Sequence, residues 1–374
     1  MPRWKNLKGT TSMNFQVIDL SNPLWLQILK TLRHDIYHLP GYLSLEAKRT
    51  QTIPEAILIY DNDKLLFVPY LLRQCNDLFD QDLLEQEVFD IVSPYGYSGF
   101  LWSEAAENAP NFISLAINQL IEVFRRKHIC SAFFRLHTLL NRSFNEHLDS
   151  FALQITGETV FINLRLSEAE IWQQTRPEHR NKINRSKRTG FTAQIVQVEE
   201  YINEFITIYE ETMERVGAAQ SYYFNKNYYS KLADALGEQL HLCIVELNNQ
   251  VTCAGLFTEC CGIVQYHLGG TRNQFLKQAP SKLMFDYVRF WAKDRGNEVF
   301  HLGGGVGSAK DSLYHFKAGF SKDRYNFLTL RLITDEIKYR ELVELRAKSL
   351  NTDATTLLAT NFFPAYRSSS PSSH

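Results

Sequence analysis

Short apolar runs alternate with amphipathic stretches along most of this chain, a pattern that predicts mixed α/β or α+β structure. Residues 56–60 and 65–68 are strand-length apolar runs on either side of Asp61-Asn62-Asp63-Lys64, and residues 242–247 and 251–257 flank Asn248-Asn249-Gln250 in the same way. Asn and Asp tolerate tight-turn backbone angles, so both stretches read as β-hairpins. The segments downstream of the two hairpins are alike. The first is succeeded by a strand at 89–92, by Asn108-Ala109-Pro110-Asn111, by a helical run over 112–127 and by a strand at 130–136. The second is succeeded by a strand at 263–268, by Gln278-Ala279-Pro280-Ser281, by a helical run over 283–294 and by a strand at 298–302. In both, proline stands where a helix's first turn places it, since its missing N–H costs nothing there.

The order hairpin–strand–helix–strand therefore occurs twice, as an internal duplication or as two α/β halves alike by chance. Asn62 and Pro110 are 48 residues apart and Asn249 and Pro280 are 31 apart; the 17-residue excess fits an acidic, turn-rich insertion around 75–90. The link between halves falls near 141–156, and the second half opens with a strand at 160–164. A strand at 327–333, a helix over 336–347 and a serine-rich tail at 368–374 close the chain. These boundaries predict an N-terminal domain over 1–155, with 326–366 as a candidate completion of it, a C-terminal domain over 156–325 and a disordered tail over 367–374.

Composition narrows the class. The 374 residues are 44% hydrophobic and 22% charged, globular values, and enough for two domains with their own cores. Forty Lys+Arg against 41 Asp+Glu leave a net charge of −1, so a polyanion partner must meet a local patch, and no DNA partner is expected. No stretch reaches the length of a membrane span and Met1 to Leu20 lacks the apolar core of a signal peptide, with Met1 and Met13 both open as the start, so a cytoplasmic protein with at most peripheral membrane contact is expected. The six cysteines read as free thiols in a reducing compartment, and with no Cys/His cluster at ligand spacing no metal site is expected.

Five segments carry candidate chemistry. Arg176 to Arg188 holds six basic residues against one acid, with Ile183 its one strongly apolar residue. It is either a solvated helix or a footprint for phosphates, with Arg180 and Lys182 the residues to watch. His301-Leu302-Gly303-Gly304-Gly305-Val306-Gly307-Ser308 fails both the dinucleotide and the P-loop spacings. It is a tight structural loop or one whose Gly304 and Gly305 let backbone N–H groups approach an anion, with Ser308 placed to cap the next helix. In Leu313 to Phe320, Tyr314, Lys317 and Phe320 stand at helical spacing; such a lysine either snorkels to solvent or stabilises a carboxylate, phosphate or oxyanion. Glu211 to Gly217, with Tyr222 and Tyr223 beyond, offers Arg215, which either holds a ligand or satisfies helix-end carbonyls. Ser93 to Gly99 sets Tyr95 and Tyr97 among glycines, in a pocket-lining loop or a plain turn. A Ser-His-Asp hydrolase is not supported, because G-x-S-x-G is absent.

Taken together these segments resemble the Fem-type peptidoglycan-bridge aminoacyltransferases, a branch of the GNAT superfamily. The resemblance rests on R-N-K-I-N-R-S-K-R-T-G at 180–190, E-T-M-E-R with Y-Y-F and Y-Y at 211–229, Y-H-L-G-G-T at 266–271, the stretch 279–296, and above all L-G-G-G followed by S-L-Y-H-F-K-A-G-F at 302–320. It covers residues 160–325 strongly, and the first half through the duplicated order and 93–99. It implies two tandem GNAT-like domains, each a mixed, mostly antiparallel sheet flanked by helices. It also implies an enzyme that transfers an acyl or aminoacyl group from aminoacyl-tRNA or acyl-CoA, with no resident cofactor, to an amine of a cell-envelope glycan or peptide precursor. By motif position it implies that Lys317 is catalytic with Phe316 beside it, that Arg215 holds a substrate phosphate, and that Tyr95, Tyr97, Tyr223, Tyr266, His267 and Tyr314 border the substrate. The glycine-rich pyrophosphate loop of CoA-dependent relatives is missing; Lys277-Gln278-Ala279-Pro280-Ser281-Lys282 takes its place. The expected chemistry is direct attack of amine on ester, against the same-fold alternative of an acyl-CoA donor and the different reading of a non-catalytic RNA- or glycan-binding module.

Overall fold

The computed structural model describes residues 13–79, 86–144 and 152–369. Parts of the expected insertion (80–85), of the expected link (145–151) and of the expected tail (370–374), and the start at Met1, lie outside the described residues. The strands are β1 (Asn14–Asp19), β2 (Ile53–Asp61), β3 (Lys64–Gln74), β4 (Phe89–Val92), the short β5 (Leu101–Trp102) and β6 (Ile129–Arg135), then β7 (Leu153–Asn163), β8 (Thr192–Val196), β9 (Leu240–Leu247), β10 (Gln250–Cys260), β11 (Ile263–Thr271), β12 (Val299–Gly303) and β13 (Arg324–Ile333). All join one sheet in the order β1-β2-β3-β4-β6-β13-β7-β12-β11-β10-β9-β8, with β5 on β3.

Taken from its two ends the order is the same twice. β1 to β4 and β6 correspond to β8 to β11 and β12, and in each set the fourth and fifth members pair in parallel while the rest are antiparallel. The two central strands are exchanged: β7, next in sequence after β6, pairs with β12, whereas β6 takes β13 from the far end of the chain. β7 and β13 then pair with each other, antiparallel, and make the sheet continuous. The two halves are the tandem GNAT-like units expected from the sequence.

Local chemistry explains the hairpins and helix starts. Asn248 and Asn249 both have positive φ, 51° and 61°, the pair of angles a two-residue turn needs to match strand twist. The helix Pro280–Asp294 begins on its proline, as expected, but Pro110 does not: it lies in the turn before the helix Phe112–Arg126, whose N-cap is Asn111. The two helices share a different device, a left-handed residue at the N-cap, Asn111 at φ 62° and Ala279 at φ 53°.

Each half has a core on both faces of the sheet. Phe112–Arg126 covers one face of the first half, where Ile113, Ala116, Ile117, Leu120 and Phe124 meet Ile57, Val68 and Phe134. Trp25, Ile28 and Leu29 of the helix Leu24–Thr31 cover the other face against Leu58 and Phe67. In the second half Pro280–Asp294 covers one face, and the helices Val198–Val216 and Lys226–Leu236 the other. That last core also takes in Ile36, Tyr37, Tyr42 and Leu45 from the first half, so apolar burial there holds the two halves together.

Candidate functional site

Lys317 ends the helix Ser312–Lys317, whose N-cap is Asp311, accepting from the Tyr314 N–H at 2.9 Å; Ser308 does not cap it. The helix is short and its last residue points inward, so the ammonium is buried. Nζ donates to the Gly304 carbonyl at 2.7 Å and stands 5.5 Å from the centre of the Tyr266 ring. Burial pushes its pKa down to about 7, with Asp311 opposing the shift.

Tyr97 reaches this point from the first half. Its hydroxyl oxygen accepts the Gly304 N–H at 3.2 Å, and its ring packs edge-on against His301 and Phe327. Gly303 lies between Tyr97 and Lys317 at φ 78°, and a Cβ there would sit 3.1 Å from the Tyr97 oxygen and 3.3 Å from Lys317 Nζ. Glycine is required on both counts. The same geometry brings the phenol and the ammonium to either side of one point.

Beneath them runs a polar network that sequence reasoning missed. His137 accepts the Leu139 and Leu140 N–H groups on Nδ1, each at 3.2 Å, so its proton is on Nε2 and is donated to Asp35 at 2.9 Å. The Gln265 amide nitrogen also donates to Asp35, which leaves its oxygen to accept from His301 Nδ1 at 2.9 Å and from the Tyr37 hydroxyl at 3.3 Å. His301 Nε2 is then an acceptor, and the Thr138 hydroxyl donates to it at 3.0 Å. Burial holds the His301 pKa well below the ordinary value, with the charges of His137 and Lys317 adding to the effect. Asp35, His137, Gln265 and His301 are all at most 1% exposed, and Thr138 is 4% exposed. Unpaired polar groups at that depth cost on the order of 1–3 kcal/mol each, so a chain retains such a set only if it is mutually satisfied. A cavity of about 440 Å³ opens on the far side of Thr138, lined by His137, Asn141, Arg142, Ile155 and Tyr325 among others. Lys317 is not among its lining residues.

Other expected site residues fall into three groups. Tyr95 and His267 approach each other edge-on at 6.3 Å and, with Tyr97 and Tyr266, are half-buried. Burial lowers the His267 pKa to about 4. Burial raises the Tyr95 pKa and Tyr222 adds to the rise, which places Tyr222 near this group. A second group is committed to structure. Arg215 donates to the Thr271 carbonyl at 3.1 Å and to the Asn273 side chain. Thr271 lies five residues along β11 from Tyr266, about 17 Å at strand rise, so Arg215 stands away from Lys317 as the helix-end alternative had it. Tyr314 donates to Glu158 at 2.8 Å and accepts from Arg324. Phe316 packs on Phe285 and Phe320, and its carbonyl accepts from His179 at 2.9 Å. Gly304 and Gly305 also need correction as an anion cradle: Tyr97 already takes the Gly304 N–H, and Asp311 receives the Val306 N–H at 3.1 Å, so a carboxylate stands where a phosphate would go.

The third group is the basic helix Pro177–Arg188, which buries His179, Ile183 and Ser186. Lys187 pairs with Asp286, but among the described residues Arg180, Arg185 and Arg188 have no ion-pair partner. Lys182 Nζ donates to the Lys277 carbonyl at 3.3 Å, beside the start of the helix Pro280–Asp294. At that start the N–H groups of Gln278 and Ala279 already bond the carbonyls of Phe275 and Leu276, leaving few donors for a pyrophosphate.

The duplicated sheet carries a buried lysine at its seam. Residues 173–318 match the family model of the acetyltransferase (GNAT) domain. The crystal structure of FemX is similar at TM-score 0.61 and 13% identity, covering 82% of this chain and 96% of that one. The C-terminal domain (DUF2156) of a putative lysylphosphatidylglycerol synthetase from Agrobacterium fabrum is similar at 0.51 and 12% identity, covering 82% and 90%. L-PGS from Bacillus licheniformis is similar at 0.50 and 13%, covering 83% and 91%. These likenesses are of fold. No curated protein sequence matches the chain. No helix among the described residues is long and apolar enough to cross a membrane.

Proposed function

We propose that the chain transfers an aminoacyl group from an ester donor of the aminoacyl-tRNA kind to an amine of a cell-envelope precursor. The amine nitrogen attacks the ester carbonyl, a carbon–nitrogen bond forms, the carbon–oxygen bond of the ester breaks, and the proton lost by the amine goes to the departing oxygen. A neutral amine needs no covalent help from the protein; what the step requires is orientation and stabilisation of the tetrahedral oxyanion. The observation that carries the reading is the convergence of Lys317 Nζ and the Tyr97 hydroxyl around Gly303. Tyr97 accepts one hydrogen bond and keeps its own proton to donate, while Lys317 supplies charge in a dry setting.

An ester donor rather than a thioester of CoA is favoured by the occupied backbone N–H groups ahead of Pro280. The unpaired Arg180, Arg185 and Arg188 offer a charged face to a polynucleotide. The name lysylphosphatidylglycerol synthetase, borne by one structural neighbour, denotes an aminoacylated envelope lipid as product, which agrees with aminoacyl transfer to an envelope component. The test is to offer the purified protein aminoacyl-tRNA, acyl-CoA and an envelope-precursor extract, and to measure donor loss and new amides by mass spectrometry. Amide formation from aminoacyl-tRNA supports the proposal; amide formation from acyl-CoA alone replaces it with the same-fold alternative.

A further inference from the structure

His34, Cys260 and Cys261 come together although they are remote in sequence. Cys260 ends β10, Cys261 and Gly262 turn into β11, and His34 lies in the loop after the helix Leu24–Thr31. The two sulfurs are 3.9 Å apart, and Cys261 Sγ is 3.5 Å from His34 Nδ1 and 3.9 Å from Nε2. One donor atom from each residue can be chosen so that all lie within 4.8 Å of one another.

We propose that these three side chains bind a thiophilic divalent cation, with zinc the best match and water as the fourth ligand. Zinc–sulfur bonds of about 2.3 Å and zinc–nitrogen bonds of about 2.0–2.1 Å at tetrahedral angles require sulfur–sulfur and sulfur–nitrogen separations of about 3.8 and about 3.5 Å. The sulfur–sulfur separation of 3.9 Å already stands close to its edge, and the 3.9 Å from Cys261 Sγ to His34 Nε2 requires only a small approach of the ring. His34 Nδ1 lies 2.9 Å from the Leu32 carbonyl, which fixes the proton there and leaves the Nε2 lone pair for a metal, the usual arrangement around a ligating imidazole. Two thiolates and an imidazole select zinc over magnesium or calcium. Cys261 is exposed while Cys260 is buried, which leaves one side open to water.

The setting is braced independently of any metal. Arg33 and Arg165 both pair with Glu298, at 2.9 and 2.7 Å, and the Glu298 N–H bonds the Gly262 carbonyl at 2.8 Å. The cation would therefore clip the loop of the first half to a turn of the second, one residue from the Asp35 that organises the buried network. The site is separate from Lys317 and stands whether or not the acyl-transfer reading does.

Reduced, metal-free protein is titrated with zinc against a chromophoric chelator and with cobalt in the spectrophotometer. One equivalent per chain is expected, with a thiolate-to-cobalt charge-transfer band and a higher melting temperature in zinc. Cys261→Ser, at an exposed position, should abolish the stoichiometric binding and the band, and His34→Ala should weaken binding at least tenfold. Zinc binding unchanged in both variants, or no binding above that of Cys261→Ser, overturns the proposal. So does a Cys260–Cys261 disulfide in protein handled anaerobically.

Discussion

Tyr97 of the first half holds the backbone N–H of Gly304 of the second at 3.2 Å, while Lys317 holds the carbonyl of the same residue at 2.7 Å. One glycine is thus clamped by two side chains, and each keeps further donor capacity directed at the space around it.

Tyr97→Phe removes one donor and leaves the ring packing. The expected result is a fall in kcat of about tenfold or more, about 1.4 kcal/mol of barrier, with little change in KM. Thermal unfolding should move by no more than the loss of one hydrogen bond, about 1 kcal/mol. Steady-state kinetics and calorimetry on the same preparation separate the two effects.

Lys317 gives a pH signature with a definite sign. Its pKa in the folded chain is about 7, below the ordinary lysine value of 10.5, so between these limits the unfolded chain holds more protons. Stability should rise with pH across that window and be insensitive to this group below about 7. Lys317→Met should lose that rise, as read from urea melts at a series of pH values. If the charged form serves the reaction, kcat falls as pH passes upward through about 7, and in Lys317→Arg that limb moves to higher pH.

Reversing charge in Arg180→Glu/Lys182→Glu should raise the donor KM several-fold and flatten the dependence of donor binding on salt, because fewer counterions are released. The fold should persist, since both residues are only half-buried and neither is in an ion pair. Filter binding across a salt series measures the slope.

Asp35→Ala strips His137 and Gln265 of a common acceptor inside a dry core. A loss of about 3–5 kcal/mol in unfolding free energy is expected, as for one partner removed from a buried charged set. Asp35→Asn keeps the shape and should lose less. Denaturant titration ranks the two.

The duplicated order was legible in the sequence because each hairpin, strand and helix announces itself locally, through turns rich in Asn and Asp and through apolar periodicity. The segment 326–366 reads as a candidate completion of the first half, but the pairing of β13 with β7 was not legible, because partners as remote as Thr329 and Gln154, or Arg324 and Val160, leave no local mark. Lys317 and Tyr97 were legible as members of unusual segments, but Gly304 was assigned to an anion because its partner Tyr97 comes from the other half. The network of Asp35, His137, Gln265 and His301 consists of single polar residues on apolar elements, and each alone looks like a core residue. His34 and Cys261 lie 227 positions apart, so ligand spacing could not reveal them. Arg215 misled because a helix-end arginine carries the same sequence signature whether it holds a carbonyl or a phosphate.

Acyl transfer by this chain is held to depend on the charge that Lys317 brings to the seam between the halves. Single-turnover transfer from aminoacyl-tRNA to an amine acceptor, comparing the unaltered chain with Lys317→Ala at matched donor saturation, tests that dependence without intervening steps. Amide should appear with the unaltered chain, and its rate should drop at least tenfold in the variant with donor affinity retained. An unchanged rate in Lys317→Ala would remove the lysine from the chemistry.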